Sequence, residues 1–134
     1  MPEDAATGSP GLRVRTAREA DVPAIRRFVP APVDWATVVS ALGAVVAVED
    51  EVVQGVLVRW PHPTHVLIER IAVGPHARRA GVGSVLLDVA EREAIEAGVN
   101  AVRSRAGGAH DPFLRRHGYL LSDDGAVLEK RLQP

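Results

Sequence analysis

One stretch near the middle of the chain constrains its fold more than any other: an apolar run, a glycine-containing turn and an amphipathic helix follow one another. The run Val66–Val73 (VLIERIAV) has strand length and predicts a central strand buried on both faces. Over residues 81–97 the apolar side chains fall on one helical arc, and Gly98 suits the position just after a helix. A further strand at 99–103 completes a strand–helix–strand unit, which indicates an α/β protein.

Shorter signals of both kinds surround this unit. Asp21 is a residue type that caps helix starts, and the proline two positions later suits the first helical turn. In chain order, the other predicted elements are a strand at 12–15, helices at 21–28 and 34–42, the second ended by Gly43, a hairpin of strands 44–48 and 52–60, a helix at 111–117 capped by Gly118, and a hairpin of 119–121 and 126–132.

Length and composition narrow the class of protein. The 134 residues, 46% of them hydrophobic and 25% charged, suffice for one domain with a buried core. Residues 1–11 are small, polar and turn-forming, so we expect a disordered leader followed by a single domain over 12–134. With a net charge of −1, the chain has no excess of basic residues of the kind that binds nucleic acid or an anionic membrane.

The absence of certain residues excludes further classes. The chain contains no cysteine, and therefore no disulfide, thiolate metal ligand or catalytic thiol. No apolar run approaches the ~18 residues that span a bilayer, so we expect a soluble, cytoplasmic protein. His62 and His65 lack the spacing of a metal site, and we expect no metal.

The turn before the long helix, residues 78–83 (RRAGVG), has the features of a phosphate-binding loop. Its glycines let a phosphate approach the backbone amides, the helix start offers N–H groups and a positive dipole end, and Arg78 can add a charge-assisted contact. The dinucleotide fingerprint needs a glycine where Leu86 stands, and the P-loop lysine is missing. A purely structural turn with solvated arginines stays an alternative on spacing alone.

Residues 71–87 (IAVGPHARRAGVGSVLL) resemble the acyl-CoA-binding motif of the GNAT superfamily of N-acetyltransferases, Arg/Gln-x-x-Gly-x-Gly/Ala after an apolar strand. The similarity extends over roughly the whole chain after the leader. Residues 15–21 resemble the opening strand and helix, Gly55 the glycine of the third strand, and residues 113–119 the last helix. The resemblance implies an α/β (α+β) fold: a mixed, mostly antiparallel sheet of six or seven strands, about four helices, and splayed fourth and fifth strands.

The same resemblance implies a co-substrate and its binding site. Acetyl-CoA would pair its pantetheine arm with the backbone of Ile71, Ala72 and Val73, and an N–H near Val73 would stabilise the oxyanion. The residues implied for the CoA pyrophosphate are Arg78, Arg79, Ala80, Gly81, Val82, Gly83 and Ser84.

The reaction also needs a proton acceptor, because an alkylamine with a pKa near ~10.4 is almost wholly protonated at pH 7. Glu69 is our candidate base. It interrupts an apolar strand, shares a face with Leu67 and Ile71 by two-residue alternation, and desolvation there would favour a catalytic role. The alternative is that Glu69 and Arg70 are paired charges at a strand bulge.

Two positions depart from the family pattern. Leu114 stands where many members carry a tyrosine that protonates the departing thiolate, and Gly107 stands where an asparagine is frequent. His110 is a candidate substitute acid, although the sequence Asp111-Pro112 by itself is typical of an N-cap followed by the first helical residue. A thiol with a pKa near ~8.5 also leaves without a strong acid.

The sequence thus predicts an N-acetyltransferase that moves an acetyl group from acetyl-CoA to a primary amine through a tetrahedral intermediate. The acceptor is a small molecule or a protein amine, and the protein a monomer or homodimer. Two alternatives stay open: a non-catalytic acyl-CoA-binding domain of the same fold, and an α/β interaction module without a CoA site. Trp35 and Trp60 either line an acceptor site or belong to the core.

Overall fold

The computed structural model describes residues 11–75 and 81–133. The leader predicted for residues 1–11 lies outside the described residues except for Gly11. In chain order the elements are β1 (Arg13–Thr16), α1 (Val22–Phe28), α2 (Trp35–Ser40), β2 (Ala44–Glu49), β3 (Val52–Pro61), β4 (Val66–Val73), α3 (Val82–Glu96), β5 (Ala101–Arg105), α4 (Asp111–Arg116), β6 (Leu120–Leu121) and β7 (Val127–Arg131). A 3-10 turn, Glu19–Asp21, precedes α1.

Within the described residues seven strands form one mixed sheet, in the order β1-β2-β3-β4-β5-β7-β6. The pairs β1–β2, β2–β3, β5–β7 and β6–β7 are antiparallel. β4 and β5 pair in parallel over three residue pairs, the last joining Ile68 and Ser104, and β4 continues to Val73. The sheet and its four α-helices confirm the predicted fold, and the short parallel register agrees with the predicted splay of the fourth and fifth strands.

The described residues divide into two compact units. The first lies within Met1–Val58 and Arg70–Val89, and the second within Arg59–Glu69 and Ala90–Pro134. The first unit buries aliphatic side chains of β2, β3 and the start of α3 together with Ile25 and Trp35. The second buries Leu114, Tyr119 and Leu128. The single domain expected over 12–134 stays a prediction.

Asp21 starts α1 in a different way from the predicted cap. It occupies the N-cap position, but its side chain makes no capping hydrogen bond to the helix. Its carboxylate instead accepts two hydrogen bonds from the guanidinium of Arg15, at 2.8 and 3.0 Å, and one from the N–H of Arg18 at 2.7 Å. The Arg15 hydrogen bonds hold the pKa of Asp21 below its usual value, although burial opposes this effect. Asp21 therefore joins β1 to the start of α1.

The same hydrogen-bonding motif ends α2, α3 and α4. In each case a left-handed residue and the residue after it donate their N–H groups to carbonyls of the last turn. The left-handed residues are Leu42, Gly98 and Gly118. The predicted ends at Gly98 and Gly118 are confirmed, whereas the one at Gly43 is wrong, because the left-handed position falls one residue earlier. Since the N–H of Val99 takes part in the motif at Gly98, β5 starts later than predicted.

β4 has the predicted bounds, and by two-residue alternation its buried residues lie on both faces. Its buried residues are Val66, Ile68 and Ile71. The spacing of buried residues changes from two to three across the charged pair Glu69-Arg70, and Glu69 is exposed. The desolvated position expected for Glu69 is therefore wrong, because its side chain lies at the surface, where it is hydrogen-bonded to the half-buried Trp60.

Gly55 on β3 lies at a very close approach between three elements of the first unit. A Cβ atom at this position would lie 3.0 Å from the carbonyl oxygen of Ala72 on β4. It would also lie 3.0 Å from a methyl group of Val82 and 3.1 Å from one of Leu86, both on α3. Only glycine lets the helix and the two strands pack this closely.

We predict that Gly55→Val destabilises the protein by at least about 3 kcal/mol, because the new side chain must displace a backbone carbonyl and the first turns of α3. Denaturant unfolding measures this loss. Gly108→Ala is the control, since a Cβ at Gly108 meets no atom of the described part of the chain within 4 Å. Equal stability of the two variants would contradict the close packing at Gly55.

We also predict a pH-dependent contribution from Asp21. Its pKa is lowered in the folded state, so its stabilising effect is full above the usual value of 3.8 and is lost as the pH falls through the lowered pKa. Asp21→Asn should cost about 1–3 kcal/mol at pH 7 and progressively less below pH ~4. Unfolding free energies from pH 2 to 7 test this, with Asp123→Asn at an exposed turn as the control. A pH-independent difference between wild type and Asp21→Asn contradicts the assignment.

Candidate functional site

In the first unit, the end of β4 carries the residues assigned to the pantetheine arm. Ile71 is buried, and Ala72 and Val73 are half-buried. The next residue, Gly74, donates its N–H to the carbonyl of Gln54 on β3 at 2.9 Å. This bond fixes the end of β4 against β3, just ahead of the segment that leads to α3.

The start of α3 has the geometry that an anion requires. Gly81 adopts a φ of +77°, which favours glycine, and a Cβ there would meet no atom of the described residues within 4 Å. The helix opens with a bond of 3.1 Å from the N–H of Val85 to the carbonyl of Gly81. The amides of Val82 and Gly83 precede this bond, at positions where a helix supplies no partner from its own backbone. The backbone at this end of α3 can therefore bind an anion.

The predicted pyrophosphate residues are only partly described. Gly81, Val82, Gly83 and Ser84 are consecutive at the start of α3. Arg78, Arg79 and Ala80 lie outside the described residues, and their role stays a prediction.

In the second unit, the candidate base Glu69 is hydrogen-bonded to an aromatic side chain. The indole Nε1–H of Trp60 donates to Oε1 of Glu69 across 2.6 Å. Trp60 is half-buried and Glu69 exposed. Trp60 thus belongs with the candidate site, whereas Trp35 in the first unit is 1% exposed and forms part of the core.

The turn between β3 and β4 brings two imidazoles together. The N–H of His62 donates to the carbonyl of His65 at 2.8 Å, and the two rings stack with centroids 4.6 Å apart. Burial lowers the pKa of His65, and the positive charge of Arg103 lowers it further. The described residues contain no group of three or more side chains able to hold a metal ion.

The loop before α4 is organised around Asp111. Its carboxylate accepts hydrogen bonds from the N–H groups of Gly107, at 2.7 Å, and Gly108, at 3.2 Å. His110, which is exposed, occupies the N-cap position without a capping hydrogen bond from its side chain. The predicted N-cap at Asp111 is therefore wrong by one residue, because this carboxylate holds the preceding loop.

The position of the family's tyrosine is filled by a core residue. Leu114 is 2% exposed. The only tyrosine of the chain, Tyr119, is also buried and donates its hydroxyl proton to Glu91 at 2.8 Å. Burial and the neighbouring Glu91 charge raise the Tyr119 pKa. Lys130 reaches the same carboxylate at 3.1 Å, so the three side chains form one network.

Comparison with known protein families agrees with this geometry. The sequence profile described as the acetyltransferase (GNAT) family matches residues 15–119, which is more than half of the chain. The chain belongs to the GNAT acetyltransferase family. The match includes the end of β4, the glycine turn and α3, and extends through α4 to Tyr119.

Solved structures share the GNAT fold at low sequence identity. Ard1 from Thermoplasma volcanium has a TM-score of 0.78 and 18% identity, with 93% of this chain and 100% of that one covered. N-acetylglutamate synthase from Neisseria gonorrhoeae, complexed with coenzyme A and N-acetylglutamate, has a TM-score of 0.81 and 15% identity, with 94% of this chain covered. This GNAT chain spans only 36% of the synthase.

A third structure is of similar size. The ribosomal-protein-S18-alanine N-acetyltransferase from Escherichia coli has a TM-score of 0.71 and 18% identity, covering 92% of this chain and 95% of that one. A sequence comparison with curated proteins gives no significant match. The described helices of this GNAT protein are too short or too polar to cross a lipid bilayer.

The structure places the predicted residues on different elements of the two units. Gly81 to Ser84 form the start of α3 in the first unit. Glu69 and His110 belong to the second unit, on β4 and at the N-cap of α4. Sequence reasoning missed the bond from Trp60 to Glu69, although both residues flank a short turn between two predicted strands, and side chains on such neighbouring strands regularly meet.

Proposed function

We propose that this GNAT protein is an acetyl-CoA-dependent N-acetyltransferase that acetylates a primary amine by direct attack. The observation that carries the proposal is the start of α3, where a left-handed glycine, whose Cβ position meets none of the described residues, precedes a 15-residue helix. Helix starts of this kind suit the pyrophosphate of CoA. Two structures of the same fold are described as complexes with coenzyme A, the N-acetylglutamate synthase and the PaiA N-acetyltransferase from Thermoplasma acidophilum.

In this proposal the backbone of the first unit binds the acyl donor. The amides of Val82 and Gly83 contact the pyrophosphate, with Arg78 and Arg79 as cationic partners. The end of β4 pairs with the pantetheine arm, and the N–H near Val73 stabilises the oxyanion that forms when the amine attacks.

Glu69 accepts the proton that the amine must lose. Its carboxylate is exposed, so an incoming ammonium group or a water molecule can reach it. A positioned base of this type contributes roughly 10²–10⁴-fold to a rate. The exposed His110 is our candidate for protonating the thiolate, and water is the alternative, because a thiol of pKa ~8.5 is a good leaving group.

A non-catalytic acyl-CoA-binding domain is the second candidate function. The buried Leu114 favours it, since this position, where many family members carry a tyrosine acid, has no hydroxyl group. The hydroxyl of Tyr119 is hydrogen-bonded to Glu91. A protein with this second function binds acetyl-CoA but releases no free CoA thiol with any amine. The interaction module without a CoA site is distinguished by showing no acetyl-CoA binding at all.

The acceptor, the oligomeric state and the location complete the proposal. We propose a primary amine acceptor, on a small molecule or a protein, a monomeric or homodimeric enzyme with a single domain, and a cytoplasmic location. Thiol release from acetyl-CoA should be measured with spermidine, tyramine, L-glutamate and a peptide with a free N-terminal alanine. The last two follow the substrates named for the N-acetylglutamate synthase and the S18-alanine N-acetyltransferase.

We predict that acetyl-CoA at ~100 times its dissociation constant raises the unfolding free energy by ~2.7 kcal/mol. Gly83→Leu should abolish this gain and weaken binding measured by calorimetry at least about tenfold, because the side chain crowds the anion site. Glu96→Leu places the same side chain at the exposed far end of α3 and should bind acetyl-CoA normally. Undiminished binding by Gly83→Leu contradicts the assignment of the pyrophosphate site.

We further predict that Glu69→Gln lowers kcat by about 100-fold while leaving acetyl-CoA affinity unchanged, because the amide cannot accept the proton. Steady-state thiol release and calorimetry measure the two quantities. Glu96→Gln, a second exposed glutamate, is the control. Wild-type rates for Glu69→Gln at every pH would rule out Glu69 as the base.

A further inference from the structure

Glu69 differs from the other hydrogen-bonded glutamates of the second unit in the type of its partner. Each of the others lies against a cation: Glu91 against Lys130, Glu93 against Arg59, and Glu129 against Arg103. Among the described residues, the only side chain that hydrogen-bonds to Glu69 is the neutral indole of Trp60.

The neutral partner has two consequences for the Glu69 carboxylate. An indole supplies one N–H donor and carries no charge, so it orients the carboxylate without neutralising it. The donor–acceptor distance of 2.6 Å to Oε1 is short for a charge-assisted bond. No described side chain hydrogen-bonds to the second oxygen, Oε2, which stays available to a ligand.

The mobility of an exposed glutamate makes such a partner useful. A side chain with three rotatable bonds loses catalytic efficiency when it samples many rotamers, because a base must lie within hydrogen-bond reach of the proton that it removes. Trp60 is itself half-buried on β3, and the closed turn at His62 and His65 joins β3 to β4. The indole is therefore a fixed donor on a neighbouring strand.

We propose that Trp60 is a positioning residue for the acetyl-transfer reaction: its indole N–H holds Oε1 of Glu69, so that Oε2 faces the ammonium group of the acceptor. This inference rests on the proposed function, because it assigns Trp60 a role through the proposed base. The inference requires the N–H donor of the indole, which an aromatic ring of similar shape, such as phenylalanine, lacks.

The bond itself is tested by NMR on ¹⁵N-labelled full-length protein. The chain has two tryptophans, so it gives two indole N–H signals. Loss of one signal in Trp60→Phe and of the other in Trp35→Phe assigns both. Glu69→Gln should shift the Trp60 signal and leave the Trp35 signal in place, since Trp35 Nε1 is buried without a hydrogen-bond partner among the described residues. An unshifted Trp60 signal overturns the proposal, and because Glu69 is exposed this variant keeps the fold intact.

The role in turnover is tested with acetyl-CoA and the most active amine of the panel. Trp60→Phe keeps an aromatic ring but removes the donor, and should lower kcat about tenfold with an unchanged KM for acetyl-CoA. In the Glu69→Gln background the same substitution should have no further effect, because the side chain that Trp60 positions can no longer accept the proton. Trp35→Phe is the control for loss of an indole and should retain wild-type kcat.

The outcomes separate this inference from the proposed function. A wild-type kcat in Trp60→Phe, together with a low kcat in Glu69→Gln, overturns the positioning role and leaves the N-acetyltransferase standing. Additive losses in the double variant also overturn it. Absence of thiol release with every amine overturns the proposed function and with it the positioning role of Trp60 in turnover, while the NMR shift still decides whether the bond exists.

Discussion

The close approach at Gly55 is the contact on which the candidate acyl-CoA site depends. The β3 backbone, the Ala72 carbonyl on β4 and the first two turns of α3 meet there without a side chain between them. This packing fixes where α3 begins relative to the end of β4. Since the amides of Val82 and Gly83 are proposed to bind the pyrophosphate, the position of the proposed anion site is set by a residue outside the segment that forms it.

Several charges in the described part of the chain are used in pairs. Asp21 with Arg15 joins β1 to α1, and Glu93 with Arg59 joins α3 to β3. A buried or half-buried carboxylate is stable only when a cation or several donors compensate its lost hydration. The exposed Glu69 needs no such compensation, and its hydrogen-bond partner among the described side chains, the indole of Trp60, does not neutralise its charge.

The sequence was sufficient to predict the order of elements, because strand and helix periodicities are local properties. Where the predictions were wrong, the cause was contact between residues distant in sequence or a backbone conformation unusual for the residue type. Leu42 takes a strained left-handed conformation that favours glycine, and Glu69 is exposed on a strand whose other residues are mostly apolar. The bond from Trp60 likewise depends on the pairing of two strands, whereas the glycine turn at Gly81 is visible in the sequence itself.

The network of Glu91, Tyr119 and Lys130 has a practical consequence for work with this protein. Lys130 is its only lysine, and its ammonium group holds a carboxylate that also accepts the buried hydroxyl of Tyr119. Amine-reactive dyes, crosslinkers and surface-coupling reagents have no other lysine side chain to attack. Labelling at this position would remove the cation from a structural network that links α3 to β7. A label attached to an engineered cysteine disturbs the fold less than a label on Lys130, and the chain has no native cysteine to compete with it.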